Sequence, residues 1–328
     1  MNVLVTGGAG YIGSVMVEQL IAHGHHVVVY DSLEYGHRAA VAPEAVFIHG
    51  FIQDQAKLVE AFRSHKIEAV IHMAAYALVG ESVKHPQKYF SNNFIGGLTL
   101  LDAMMEAEVK KIVFSSTCAT YGMPEKMPIT EDTPQHPVNP YGESKLAFEK
   151  ALHWYDLAYG IRYASMRYFN AAGASENYGE DHQPETHLLP NVLNVARGKA
   201  AHVNIFGEDY ATPDGTCIRD YVHVIDLAVA HILALKVIDE KSRIYNLGYS
   251  NGYSVAEVVE MARQITGHRI PTEASPRRAG DPPILIANSD RATLELGWMP
   301  QHSELDQIIA SAWKWHLAHP HGYAEQGR

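Results

Sequence analysis

The feature that most constrains this chain lies at its start. Asn2–Thr6 is a short β-branched run, and Gly7-Gly8-Ala9-Gly10-Tyr11-Ile12-Gly13 follows it directly and opens an amphipathic stretch. In such a strand–turn–helix, Gly7 permits the tight turn, Gly10 lets backbone approach a pyrophosphate, and Gly13 lets helix pack on sheet. The helix N-terminus then offers unpaired N–H groups to the phosphates. Asp31 ends the second apolar run, 18 residues after Gly13. A carboxylate there accepts both ribose hydroxyls and repels a 2′-phosphate. Ser32 and Leu33 bring no arginine beside it, so the residues favour NAD over NADP.

Strand and helix patterns go on alternating through the first 170 residues. Asn2–Thr6, His26–Tyr30, Ala69–His72, Ile112–Ser115 and Arg162–Arg167 read as buried parallel strands. Helical patterns separate them at Tyr11–His23, Gln55–His65, Pro86–Ala107 and Tyr141–Tyr159. The alternation predicts an α/β fold, a Rossmann-type doubly wound parallel sheet with right-handed crossovers. Beyond Asn170 prolines interrupt shorter elements, with helices expected at Leu188–Arg197, Val224–Val237, Val255–Thr266 and Glu304–His316. The expectation is a cofactor domain over 1–175 and a smaller C-terminal α/β substrate domain over 176–328, with some segments crossing back. The tail from His316 to Arg328 reads as frayed and exposed.

Charge narrows the partners. There are 26 basic and 37 acidic residues, a net −11 with histidine neutral, so a global basic footprint for nucleic acid or anionic lipid is absent. No run approaches 18 apolar residues and no basic segment precedes the first one, so neither membrane span nor signal peptide is expected. Cys118 and Cys217 stand 99 residues apart with no C-x-x-C pattern, which fits a reducing cytoplasm. The 20 histidines invite a metal reading, for which His182 and His187 with Asp181 and Glu185, and His316, His319 and His321, are the candidates. Neither set has the helical His-x-x-x-His spacing with an adjacent acid, so no metal is expected and the histidines read as mostly surface.

A reaction centre is legible further on. Tyr141-Gly142-Glu143-Ser144-Lys145 comes after Asn139-Pro140, a helix start, and a spacing of four puts tyrosine and lysine on one helix face. A free phenol titrates near pH 10. A neighbouring ammonium and a positive nicotinamide ring would both favour phenolate, making Tyr141 a usable base. The strand ending Ser115-Ser116-Thr117 brings hydroxyls to the carboxyl edge, where such sheets place ligands.

Together these residues resemble an extended short-chain dehydrogenase/reductase, and more closely the UDP-glucose 4-epimerase branch. The likeness runs along nearly the whole chain: His72-Met73-Ala74-Ala75, Val79-Gly80-Glu81-Ser82, Asn92-Asn93, Arg167-Tyr168-Phe169-Asn170, Asp214-Gly215-Thr216-Cys217-Ile218-Arg219-Asp220-Tyr221, Tyr245-Asn246-Leu247-Gly248 and Arg277-Arg278-Ala279-Gly280-Asp281. The resemblance implies a reaction that returns its hydride. Tyr141 would take the proton of the sugar 4-hydroxyl, C4 would pass hydride to tightly held NAD, and the 4-keto sugar would turn over before hydride returns. Thr117 would hold the oxygen, with Ser116 as helper and Lys145 beside the ring. Ile52, Ala74, Asn93, Ser115 and Tyr168 join Gly7, Gly10, Tyr11, Ile12, Gly13 and Asp31 as implied cofactor contacts. Asn170, His187, Leu188, Asn204, Phe206, Arg219, Arg278, Asp281 and Leu285 join Thr117 and Tyr141 as implied UDP-sugar contacts. Arg219 and Arg278 match diphosphate ligands, whose geometry suits guanidinium forks. Cytoplasmic homodimers paired through Pro86–Ala107 and Tyr141–Tyr159 are also implied.

Departures from the family pattern concern Ala77, where a lysine often stands, Phe51, where an acid reaches adenine, His187, where asparagine is frequent, and Leu285, at the position that gates the sugar pocket. The last leaves the choice between glucose and N-acetylglucosamine substrates open; epimerisation of another UDP-sugar, a pentose or a uronate, and UDP-sugar decarboxylation are separate alternatives. A 4,6-dehydratase would carry Asp-Glu after the strand-end threonine, where this chain has Cys118-Ala119. A non-catalytic nucleotide sensor would have lost the tyrosine–lysine pair.

Overall fold

The computed structural model describes residues 1–278, 280–302 and 304–323. The first half alternates β1 (Asn2–Thr6), α1 (Tyr11–Ala22), β2 (His26–Asp31), β3 (Val46–His49), α2 (Gln55–Ser64), β4 (Ala69–His72), α3 (Val79–Lys84), α4 (Pro86–Tyr89), α5 (Gly96–Glu106), β5 (Lys111–Thr117), α6 (Pro140–Tyr159) and β6 (Arg162–Tyr168). Then come β7 (Asn170–Ala172), α7 (Leu188–Ala196), β8 (Val203–Phe206), β9 (Ile218–His223), α8 (Val224–Val237), β10 (Arg243–Leu247), β11 (Gly252–Ser254), α9 (Val255–Thr266), β12 (Thr272–Ser275), β13 (Ile284–Leu285), α10 (Asp290–Leu296) and α11 (Leu305–Ala318).

Seven strands form one parallel sheet in the order β10-β6-β5-β4-β1-β2-β3. Val3, Leu4 and Val5 of β1 are wholly buried, because helices cover both faces; that is why the strand is a continuous apolar run. On one face α1 and α8 supply Val15, Met16, Leu20, Leu227 and Leu235. On the other, α2, α5 and α6 supply Leu58, Phe62, Leu100, Met104, Phe148 and Leu152. The order reverses between β1 and β4, so their carboxyl ends diverge and leave a crevice there.

The later half builds a smaller lobe. Its β9 is flanked by β11, antiparallel, and by β7 and β13, parallel, while β8 pairs with β12. Leu189, Val192, Leu193, Val258, Ala262, Ile308 and Ile309 from α7, α9 and α11 form its core. The chain then crosses back: α8 packs on the central sheet and β10 pairs with β6.

Three expectations need correction. The single helix over Pro86–Ala107 is broken into α4, a π-helical turn at Phe90–Ile95, and α5. At the break, a Cβ on Gly96 would collide with Ile52, and one on Gly97 would sit 2.6 Å from Phe148, so the α5 start presses directly on its neighbours. The tail is not frayed from His316: α11 runs to Ala318, His316 is buried, and the Trp315 and His319 rings stack at 4.6 Å. Tyr323 stacks on His37, and its backbone N–H donates to Asp181; the expectation for 324–328 falls outside the described residues. Most histidines do lie at or near the surface, but His72, His223, His231 and His316 are buried. Burial pushes the first down to about 3 and each of the others to about 4.

Candidate active site

The crevice is one continuous cleft of about 1470 Å³ running from the glycine turn across to the smaller lobe. Sites for a single small ligand usually occupy about 300–1,000 Å³, so there is room for more than one.

At its sheet end Gly7 has φ +73°, and a Cβ there would lie 2.6 Å from the Ala74 nitrogen. On Gly13 a Cβ would overlap the Gly7 carbonyl oxygen, whereas on Gly10 the nearest atom is 3.4 Å away. Gly7 and Gly13 therefore allow the close packing of turn, helix and sheet, and Gly10 keeps an open approach to the start of α1. Asp31 is buried, its oxygens accepting the backbone N–H of Ala9 at 2.9 Å and of Leu33 at 2.8 Å. Burial raises its carboxyl despite those bonds. Two of about four acceptor positions are used, which leaves two for a pair of hydroxyls. Tyr11, Ile12, Ile52, Ala74 and Tyr168 line the same end, and Phe51 stands half exposed at the mouth. This cradle, with an acid placed for a ribose and open helix N–H groups, fits an adenine dinucleotide.

Midway, α6 begins at Asn139, whose side chain caps the Gly142 N–H at 2.9 Å, with Pro140 in the first turn. That start sets Tyr141 and Lys145 on the cleft wall. The phenol is pushed well above its ordinary value, chiefly by burial, with a hydrogen bond from Thr117 acting the other way. The Lys145 ammonium donates to the Ser115 carbonyl at 2.8 Å and lies 4.8 Å above the Phe114 ring. Burial lowers it from 10.5 to about 7, opposed by the Glu149 carboxylate. In the free chain, then, burial holds the phenol neutral. A cation entering the cleft beside it would be needed to favour phenolate.

Three expected contacts sit behind the cleft wall rather than on it. Ser116 turns its hydroxyl to Glu149, which also accepts from Arg167 at 3.0 and 3.2 Å. The Ser115 hydroxyl faces His231 at 3.4 Å; what Ser115 offers the site is its carbonyl. Asn93, in the π-helical turn, accepts the Tyr76 N–H at 2.9 Å and donates to the Tyr76 carbonyl at 3.0 Å and to Ser144 at 3.1 Å. Its amide thereby ties the 74–78 loop to α6. Alternation along β5 explains the serines: the strand end sends neighbouring side chains to opposite faces.

In the smaller lobe, Asn170, His187, Leu188, Asn204, Phe206, Arg219, Arg278, Asp281 and Leu285 all line the cleft. Arg219 pairs with Asp281 at 2.5 Å, not with Asp220 or Asp226. Asp220 instead accepts backbone N–H groups of Tyr249, Ser250 and Ala287. The register of β13 on β9 sets Leu285 beside Arg219. The Arg278 guanidinium stacks 4.1 Å over Phe206, and no carboxylate pairs with it among the described residues. Thus two guanidinium groups face one end of the cleft. Glu180, absent from the candidates that sequence alone suggests, joins His182, Glu185 and His187 at the cleft edge; the alternation of acid and imidazole over 180–187 was the available signal.

A profile of the NAD dependent epimerase/dehydratase family matches residues 3–248. The chain belongs to that family. It is 54% identical over 332 residues to the UDP-glucose 4-epimerase of Halalkalibacterium halodurans, covering 100% of this chain and 99% of that one. A crystal structure of UDP-glucose 4-epimerase superposes with a TM-score of 0.97 at 50% identity, covering 99% of this chain and 100% of the other. That of the Bifidobacterium longum UDP-glucose 4-epimerase, in complex with NAD+ and UDP, gives a TM-score of 0.94 at 39% identity over 98% of this chain and 100% of that one.

Proposed function

We infer that this chain is an NAD-dependent UDP-glucose 4-epimerase, interconverting UDP-galactose and UDP-glucose through a 4-keto sugar. The observation that carries this reading is a single cleft with a dinucleotide cradle at one end and two guanidinium groups at the other. Tyr141, Thr117 and Lys145 lie between them. Full-length identity to UDP-glucose 4-epimerases at about the half level supports the same substrate pair.

Gly7, Gly10, Tyr11, Ile12, Gly13 and Asp31 would hold NAD, with Ile52, Ala74 and Tyr168 along its path. When bound, NAD supplies the acceptor and then the donor of hydride at sugar C4. Tyr141 removes and returns the 4-hydroxyl proton, and Thr117 holds that oxygen. Lys145 keeps a titrating positive charge near the ring and the β5 carbonyl. Arg219 and Arg278 bind the diphosphate and Asp281 the uridine ribose. Phe206, Asn204, Asn170 and Leu188 line the nucleotide and sugar. Anchoring the nucleotide firmly leaves the sugar free to present either face, which is what returning hydride to the opposite side requires.

We assign the homodimer to the π-helical turn with α5 and to α6, because Ile95 on the first and Trp154, Leu157 and Tyr159 on the second stand exposed, an apolar surface of the kind a self-complementary interface covers. Among the described residues no helix is long and apolar enough to cross a membrane, and the two unpaired thiols suit the cytoplasm. Incubation with UDP-galactose tests the substrate: UDP-glucose should form with no net consumption of NAD. Absence of UDP-glucose while another UDP-sugar turns over would refute it. Sedimentation should give twice 36.3 kDa; a monomer would refute the dimer.

A further inference from the structure

The loop between β7 and α7 gathers four side chains that the reaction does not use as a set. Glu180, His182, Glu185 and His187 each offer one donor atom, and all four atoms lie within 4.8 Å of one another. Both imidazoles present Nδ1 to the carboxylates. Glu180 Oε1 lies 2.8 Å from His187 Nδ1 and 3.1 Å from that of His182. Glu185 approaches the same two atoms at 2.9 and 3.8 Å. Tetrahedral bonds of about 2.0–2.1 Å set their ligands roughly 3.3 Å apart, so small side-chain shifts would convert this quartet into a coordination shell.

The set is also held in place from outside. Glu185 Oε1 accepts the backbone N–H of Thr186 at 2.7 Å and of His187 at 2.8 Å. His182 meets the Tyr11 ring edge-on at 6.1 Å, and His187 directly precedes α7. Glu180 is buried, yet no lysine or arginine pairs with it or with Glu185 among the described residues. The groups paired with these two carboxylates are the two imidazoles, themselves metal donors, so a dication can take the place of the protons they share.

We propose that Glu180, His182, Glu185 and His187 form a divalent-cation site, selective for zinc among abundant biological metals. Mixed imidazole and carboxylate donors in a compact fourfold set suit zinc better than the all-oxygen, higher-coordinate shells of calcium or magnesium. All four ligands are protein side chains, so the site is structural. It would pin the 180–187 segment against the start of α1 and the start of α7, the two helix ends that border the cleft.

This site stands whether or not the proposed substrate is right, since its test reads metal and not turnover. Holoprotein is treated with chelator, desalted, and titrated with Zn²⁺; a parallel sample receives Co²⁺. One equivalent of Zn²⁺ should survive gel filtration, and Co²⁺ should give the visible absorption of a tetrahedral nitrogen–oxygen site without thiolate bands. His182→Gln and Glu185→Gln, which remove one ligand from each residue type, should each weaken Zn²⁺ binding by about tenfold or more. The far-ultraviolet spectrum of each variant checks that it has folded. Absence of a retained equivalent in the wild-type protein would overturn the proposal. So would Zn²⁺ binding undiminished in both variants, which would place the metal elsewhere among the surface histidines.

Discussion

Replacing Lys145 by methionine should make the protein more stable while disabling it. The ammonium sits in a wholly buried position, with the Ser115 carbonyl and the Phe114 face as its neighbours. Burial lowers its titration from 10.5 to about 7. Between those two values the unfolded chain binds a proton that the folded chain does not, so stability rises with pH across that window. The slope is about 1.4 kcal/mol per pH unit, and the full window sets a ceiling of about 5 kcal/mol. Below pH 7 lysine is charged in both states and its burial cost is undiminished. Methionine, of similar length, has no such cost but loses the bond to the carbonyl, worth about 1 kcal/mol. The expected gain for Lys145→Met at pH 6 is therefore about 1–4 kcal/mol, shrinking steadily toward pH 10. Urea unfolding of both cofactor-free proteins at half-unit pH steps measures this, and subtraction cancels the distant titrating groups. Glu149 and His72, which interact with Lys145, are the two that will not cancel fully. A difference that stays flat from pH 6 to 10, or a variant less stable at pH 6, would refute the reasoning.

Neighbouring residues give further expected outcomes. Tyr141→Phe should lose epimerisation by several orders of magnitude while still binding UDP, and near-normal turnover in a coupled assay would remove Tyr141 from its role. Glu149→Gln leaves the buried Arg167 charge unpaired and should cost about 3–5 kcal/mol in denaturant unfolding; a loss under 1 kcal/mol would show that the pair matters little. Arg278→Ala should weaken UDP binding by about 2–4 kcal/mol in calorimetry, because its guanidinium is not committed to any carboxylate among the described residues. Equal affinity for UDP in the variant would take Arg278 out of the diphosphate end.

Elements governed by local pattern were legible from the sequence. Val224–Val237 and Val255–Thr266 match their expected helices residue for residue, and β1 and β4 match their expected strands. The glycine turn was legible because each glycine answers a local steric demand. What sequence could not show were outcomes of packing between distant segments. The π-helical break depends on Ile52 and Phe148 pressing against Gly96 and Gly97. The ordered end of α11 depends on Gly179, Asp181 and His37, more than a hundred residues earlier. β3, with half-exposed residues at a sheet edge, has too weak an alternation to be seen. The orientation of Ser116 is set by pleat direction, which a motif comparison does not carry. Glu180 has no helical metal spacing to its partners, and it meets His182, Glu185 and His187 only because the 180–187 loop folds back on itself.

The position of β10 bears on how the molecule is made. It covers the outer edge of β6, yet it is the last of the seven strands in chain order and follows β7 and β9 of the smaller lobe's sheet. During synthesis, β6 emerges some eighty residues before its neighbour. Until residue 247 leaves the ribosome, the central sheet lacks the strand that closes the β6 edge, and until residue 237 does, α8 is not complete on one of its faces. A chain cut after the first half would keep that open edge permanently, and open edges of parallel sheets invite pairing with other chains. The two halves are thus interleaved in time as well as in space, and neither can be borrowed as a free-standing module.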